Sequence, residues 1–273
     1  MTKIHNTPDE IAALIPDGAL IALPPEYGPC PMDVIRALVR RGGRDLKLLA
    51  VPQFGFQADL LIGAGCVSQV ETAAVTLGEH GLAPRFTAAV KAQSLKMRDT
   101  TCPAIHAALQ ASEKGLPFMP LRGLIGTDIL KRRDDWKVLD NPFGNNDPIV
   151  YLPAIKPDVT LLHAPKADVH GNAWIGVRRE GMLMAHASTH TYVTAEEIVE
   201  DNLLDDPVLA AGVIPGLYVS ALAPAKKGSW PLGVPDVYDR DDTHLGQYAE
   251  MARTQDGFDT YLSQFVSRQI AAE

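Results

Sequence analysis

Residues 19–51, ALIALPPEYGPCPMDVIRALVRRGGRDLKLLAV, set two short apolar runs on either side of a helical pattern. Ala19 to Leu23 is unbroken apolar sequence after the turn residues Pro16-Asp17-Gly18, the pattern of a strand buried on both faces. Pro31 to Arg40 follows, with proline in the first turn, where its missing N–H is not needed. Val34, Ile35, Leu38 and Val39 share one helical face. Leu46 to Val51 is the second apolar run. Two strands joined through a helix predict a parallel pair, since parallel strands require a crossover connection.

The same rhythm extends outward. Ala58 to Ile62 predicts a helix stopped by Gly63 and Gly65, and Val67 to Val75 a strand. Pro84 to Gln93 predicts a helix, Ser94 to Met97 a short strand, and Pro103 to Lys114 a helix ended by Gly115. This alternation predicts an α/β fold with a mostly parallel sheet flanked by helices. After the proline- and glycine-rich DNPFGNNDP (residues 140–148), strands are predicted at Ile149 to Leu152 and Asp158 to Ala164, then a turn from Asp168 to Asn172. Glu180 to Ser188 reads as a helix and Thr191 to Thr194 as a strand. Pro207 to Pro235 reads as a lid-like excursion. From about residue 244 to 273 a helical tail carries Leu245, Tyr248, Met251, Phe258, Tyr261, Leu262 and Phe265. No linker-like stretch divides the chain, so residues 1–273 read as one domain.

Composition excludes several classes. With 46% hydrophobic residues among 273, the chain has enough apolar surface to offset its ordering entropy. The net charge is −8, and the basic runs Arg40-Arg41 (with Arg44) and Lys131-Arg132-Arg133 read as solvated surface charge; nucleic acid is not the expected partner. Cys30, Cys66 and Cys102 cannot all pair and form no Cys-x-x-Cys, which predicts a reduced, cytoplasmic chain. MTKIHNTPDE has no apolar leader segment and no run approaches about 18 apolar residues, so no membrane association is expected.

Gly63-Ala64-Gly65-Cys66-Val67-Ser68 lacks the third glycine of a dinucleotide fingerprint and follows a helix, so a helix C-cap is the expected role. His186 and His190 are four apart, but a strand signal begins between them and no third ligand joins them; no metal is expected. Gly-x-Ser-x-Gly and P-loop motifs do not occur. Glu26 follows the first strand at the carboxyl end of the sheet, where open α/β folds bind ligands, and can be a base, a nucleophile or an exposed loop acid. Cys102, between Thr101 and Pro103, stands at a strand-to-helix junction. A helix N-terminus there favours the thiolate, while burial would make it a small hydrophobe. Glu79-His80 sits in another loop before a helix.

The order of short motifs resembles the alpha (A) subunit of family I coenzyme A-transferases, of the glutaconate CoA-transferase type. The motifs are Gly78-Glu79-His80-Gly81-Leu82-Ala83-Pro84, Gly115-Leu116-Pro117-Phe118-Met119-Pro120, Gly126-Thr127-Asp128 and Asn141-Pro142-Phe143. They continue through Pro153-Ala154-Ile155, Pro157-Asp158-Val159, Leu162-His163-Ala164, Asp168, Gly171-Asn172, Thr194-Ala195-Glu196-Glu197-Ile198, Ile214-Pro215-Gly216 and Leu222-Ala223-Pro224.

The resemblance implies a CoA-transferase-like α/β fold and a working unit built with a B-type subunit. It implies transfer of CoA from an acyl-CoA to a dicarboxylic or 3-oxo acid, with no permanently bound cofactor and a coenzyme A thioester as substrate. It places the nucleophilic glutamate in a Glu-Asn/Ser-Gly context on the B chain, and no such motif occurs here. A carboxylate needs positioning and desolvation to attack a thioester, and backbone N–H groups must stabilise the tetrahedral intermediates. Pro24-Pro25 replaces two glycines expected after the first strand, removing N–H groups from that loop. The candidate catalytic residues are Glu26 and Cys102. The candidate substrate-binding residues are Tyr27, Gly28, Glu79, His80, Thr101 and Gly126. A hydrolase or lyase of the same fold, opening a ring in a CoA ester, is the alternative; that branch carries an acid where Cys102 stands. A non-catalytic acyl-CoA-binding scaffold is the third reading.

Overall fold

The computed structural model describes residues 2–267. In chain order it forms β1 (Lys3–Ile4), α1 (Pro8–Ala13), β2 (Leu20–Leu23), α2 (Met32–Arg40), β3 (Leu46–Ala50), α3 (Phe56–Gly63), β4 (Val67–Thr72), α4 (Pro84–Lys91), β5 (Lys96–Asp99) and α5 (Cys102–Glu113). It continues with β6 (Phe118–Leu121), α6 (Ile129–Arg132), β7 (Lys137–Asp140), β8 (Pro148–Pro153), β9 (Val159–Asp168), β10 (Ala173–Trp174) and α7 (Arg179–Ala187). The last elements are β11 (His190–Val199), β12 (Val213–Ile214), β13 (Ala221–Pro224), α8 (Asp242–Met251) and α9 (Gln255–Phe265).

The main sheet runs β1-β13-β11-β9-β2-β3-β4-β5, and every pairing along that path is parallel. Burial on both faces explains the unbroken apolar runs. Ile21, Leu23, Leu48 and Ala50 point into a core shared with α1, α2, α3, α8 and α9. Ala22, Leu49, Leu162 and Ala164 point the other way, toward α5 and α7. From β2 the chain builds outward through β3, β4 and β5; it then returns to lay β9 on the other side of β2. The order therefore reverses between β2 and β9. In open α/β sheets that reversal leaves a crevice beyond the carboxyl ends of the strands, and the residues after Leu23 and Ala50 stand at its rim.

Several expectations shift. The stretch around 118–153 is a separate antiparallel sheet, β6-β8-β7, packed through Trp136, Val150 and Leu152 onto Ala104 and Ala107 of α5. DNPFGNNDP is the connection between β7 and β8. Strand β6 contains Pro120, tolerated because β6 is an edge strand, and that proline hides it from a propensity reading. The tail is two helices, because Thr254 caps a new start by accepting the Gly257 N–H; residues 268–273 of the expected tail lie outside the described residues. Arg133 is buried and not solvated. It pairs with Glu71 (2.8 Å) and Asp135 (2.9 Å) and lies over Trp136, tying the small sheet to β4.

Candidate functional site

Strand β2 ends in Pro24-Pro25, and the next side chain, Glu26, turns back over the N-terminus of α3. The Gln57 N–H donates to Glu26 Oε1 at 2.8 Å, and the Phe56 N–H also reaches the carboxyl. These are first-turn donors without an intrahelical partner. Gly55, the N-cap residue, has no side chain to serve them. A Cβ at Gly55 would collide with Glu26 Oε2 and lie 2.7 Å from the Thr76 carbonyl, so glycine is what admits the carboxyl. Glu26 thus caps α3 from a distant segment.

Pro24 and Pro25 present carbonyls here. The Gln57 side-chain amide donates to Pro24 O at 2.5 Å, and the Gly28 N–H to Pro25 O at 3.3 Å. The loop has no N–H at either proline to offer an oxyanion.

Glu26 lines a cavity of about 210 Å3 walled by Phe54, Phe56, Leu77, Leu232 and Leu245, with Arg240 as its basic side chain. Burial pushes the Glu26 carboxyl up to about 7, the α3 N–H groups pull it down, and the Asp59 carboxylate nearby pushes it up further. Asp59 is wholly buried, accepting from the Tyr248 hydroxyl (2.7 Å) and the Phe86 N–H (2.7 Å). Glu26 can therefore exchange a proton near neutrality, as a general acid or base must.

Arg240, which lines the cavity, is itself held by charged groups. Arg240 Nη2 is 2.6 Å from Asp242 Oδ1 and 3.7 Å from Glu79 Oε2, while His80 Nε2 is 3.4 Å from the same Asp242 oxygen. Glu79 and His80 do not line the Glu26 cavity themselves; Gly78 of their loop does, and they contact the Arg240–Asp242 pair beside it.

Tyr27 also lines this cavity and reaches from it to the start of α7. Its hydroxyl donates to Glu180 Oε1 at 3.1 Å, and the Arg178 guanidinium covers its ring at 4.7 Å and donates to its carbonyl at 2.8 Å. Burial and Glu180 push the Tyr27 hydroxyl up to about 12, keeping it a donor. Gly28 is buried against the Arg178 side chain. Cys102 opens α5 with an exposed thiol, and Thr101 is the α5 N-cap. One turn on, His106 is held below its usual pKa by burial, opposed by Glu180. Gly126 lies exposed in the loop between β6 and α6, with φ +81°, and does not line the Glu26 cavity.

A third cluster is one that the sequence does not announce as a site. His163 on β9 contacts Thr194 Oγ1 and Glu196 Oε1, both at 2.8 Å. Glu196 also accepts from the Tyr238 hydroxyl (2.8 Å) and the N–H groups of Lys227 (2.6 Å) and Gly228 (3.0 Å). Burial works to raise the Glu196 carboxyl, but His163 and Tyr238 together hold it below the ordinary range. Glu196 and Tyr238 also line a larger cleft of about 710 Å3 with Trp174, Lys166, Lys226 and Val237. Asp168, by contrast, is structural: its carboxylate accepts from the N–H groups of His170, Asn172 and Leu203 and closes the turn after β9.

Polar side chains gathered in clefts beyond the carboxyl ends of a parallel sheet define an α/β protein that handles small molecules. The chain belongs to the coenzyme A transferase family, whose model matches residues 5–223. It is similar to the A-type chain of the 3-oxoadipate CoA-transferase of Pseudomonas knackmussii, 28% identical over 97% of this chain and 94% of that one. The crystal structure of glutaconate coenzyme A-transferase from Acidaminococcus fermentans superposes with a TM-score of 0.89 at 27% identity, covering 97% of this chain and 89% of that one. An uncharacterized protein of Archaeoglobus fulgidus is 32% identical over 86% of this chain, which spans about half, 52%, of that protein's length. Among the described residues no helix is long and apolar enough to cross a membrane.

Proposed function

We propose that this chain is the A-type half of a heteromeric, cytoplasmic acyl-CoA transferase that moves CoA between an acyl-CoA and a dicarboxylic or 3-oxo acid. The observation that carries the reading is the Glu26 cavity, a small cleft beyond the carboxyl ends of β2, β3 and β4 in a coenzyme A transferase fold. The attacking glutamate comes from a B-type chain. Its carboxylate adds to the thioester carbonyl and expels CoA thiolate, leaving a mixed anhydride. The thiolate then attacks the glutamyl carbonyl, giving a glutamyl-CoA thioester and releasing the first acid. The second acid reverses both steps. Glu26 shapes the acid-binding end of the cleft and holds or releases a proton there. Tyr27, Gly28, Thr101 and Cys102 form the neighbouring wall at the start of α5, and Gly126 belongs to the small sheet's contact with the acyl-CoA.

The test mixes the chain with a candidate acyl-CoA and a labelled acceptor acid, with and without a B-type chain. CoA exchange only in the pair is the expected result. Thioester loss to water without an acceptor would mean a hydrolase, and steady exchange by the isolated chain would overturn the shared-site reading. Within the pair, Cys102→Ser is expected to change turnover by less than about threefold, because the exposed thiol packs against the site without making the reacting bond. A loss above about a hundredfold, roughly 2.7 kcal/mol of barrier, would make the thiol a chemical participant.

A further inference from the structure

The Glu26 cavity is too small for a CoA moiety, at about 210 Å3 against several hundred for a pocket that encloses a drug-sized ligand. Its walls mix Phe54, Phe56, Leu77, Leu232 and Leu245, which suit a short methylene chain, with the polar side chains of Tyr27, Gln53 and Thr76. Its charged side chains are Glu26 and Arg240. A guanidinium is a planar fork that matches a carboxylate through two parallel N–H···O bonds. We propose that Arg240 selects the acid substrate by holding a carboxylate at the end remote from the reacting carboxyl, so that the site takes short dicarboxylates in preference to monocarboxylates. The assignment rests on the transferase reading above and adds the residue that sets its substrate class.

The partners that hold Arg240 in this structure support exchange. Asp242 and Glu79 are themselves carboxylates, with side chains 57% and 90% exposed, and Arg240 is 42% exposed. Ion pairs so open to water contribute little, so an arriving carboxylate can replace them at small cost. The segment that carries Arg240 also fits the role. It joins the stretch containing Leu232 to the start of α8, which carries Leu245, so Arg240 and two apolar walls arrive on one piece of chain. Glu79 and His80 meet the Arg240–Asp242 pair from the loop before α4.

The experiment compares glutarate with valerate, acids of equal carbon number that differ in the second carboxylate. Calorimetric titration of the full chain is expected to show glutarate binding at least tenfold tighter than valerate. Arg240→Met should abolish the difference, bringing the two within about twofold, with an unchanged circular dichroism spectrum. Arg240→Lys, which keeps the charge but not the fork, should retain part of it. Asp242→Asn removes the internal competitor and should tighten glutarate two- to fivefold, an effect a merely structural ion pair would not produce. Equal binding of the two acids to the natural chain, or a preference that survives Arg240→Met, overturns the proposal. In the complex with a B-type chain, Arg240→Met should raise KM for glutarate about thirtyfold and leave KM for valerate within twofold; equal losses for both acids would overturn it. If the complex transfers CoA to neither acid, the transferase reading fails, while the titrations still decide whether Arg240 reads the second carboxylate.

Discussion

Glu26→Gln, assayed in the complex with a B-type chain, is expected to lower turnover at least a hundredfold while making the chain harder to unfold at pH 8. A hundredfold corresponds to roughly 2.7 kcal/mol of barrier. The glutamine keeps the shape of the side chain and an amide oxygen that can accept the Gln57 N–H, so the cap on α3 persists. What disappears is a group that gains and loses a proton near neutrality. The stability change has a definite sign. Burial raises Glu26 from 4.5 to about 7, so between those pH values the folded chain holds a proton that the unfolded chain has released. Stability attributable to this group therefore falls as pH rises from 4.5 to 7 and stays lowered above 7. The full span amounts to about 3 kcal/mol. Glu26→Gln should match the natural chain below pH 4.5 and exceed it at pH 8, and the limb near pH 7 in the natural enzyme's rate profile should vanish. Glu79→Gln, altering a side chain that is 90% exposed, should stay within about twofold. Near-natural rates for both variants would take Glu26 out of the chemistry, and unchanged stability at pH 8 would refute its raised proton affinity.

Glu196→Ala is expected to be strongly destabilising, by roughly 3–5 kcal/mol in chemical denaturation. Its carboxylate receives His163, the Tyr238 hydroxyl and two backbone N–H groups, and its side chain is only 10% exposed. Removing it takes the acceptor away from four donors held at or near the protein interior. The variant should also loosen residues 226–238, because Glu196 joins Lys227, Gly228 and Tyr238 to β11. Hydrogen exchange should rise at the Lys227 and Gly228 amides before the β9 and β11 ladders are affected. A loss under about 1 kcal/mol would mean that water serves those donors as well as the carboxylate does.

The parallel core was readable because each central strand is buried twice over, which leaves runs such as Leu20–Leu23 and Leu46–Ala50 with little polar interruption. The placement of Glu26 at a strand's carboxyl end followed from that alone. The small sheet was not readable: all four residues of β7 are exposed and β6 carries a proline, so neither shows a buried-strand pattern. Arg240 stood in Asp239-Arg240-Asp241-Asp242, a charged run indistinguishable from solvated surface until α8 folds over the cavity. His163 and Glu196 lay inside family motifs, but their contact joins neighbouring strands at positions 33 residues apart. Gly55 carried no signal, since only the folded chain shows whose atoms fill the space beside it.

The shared use of one carboxyl by a helix end and a cavity wall has an evolutionary corollary. Positions 26 and 55 form a single unit of inheritance: any side chain at 55 would occupy the space that the acid from 26 fills. A side chain gained 29 positions downstream would thus displace that acid and also press on the Thr76 carbonyl, so the two positions can change only together with the backbone beside them.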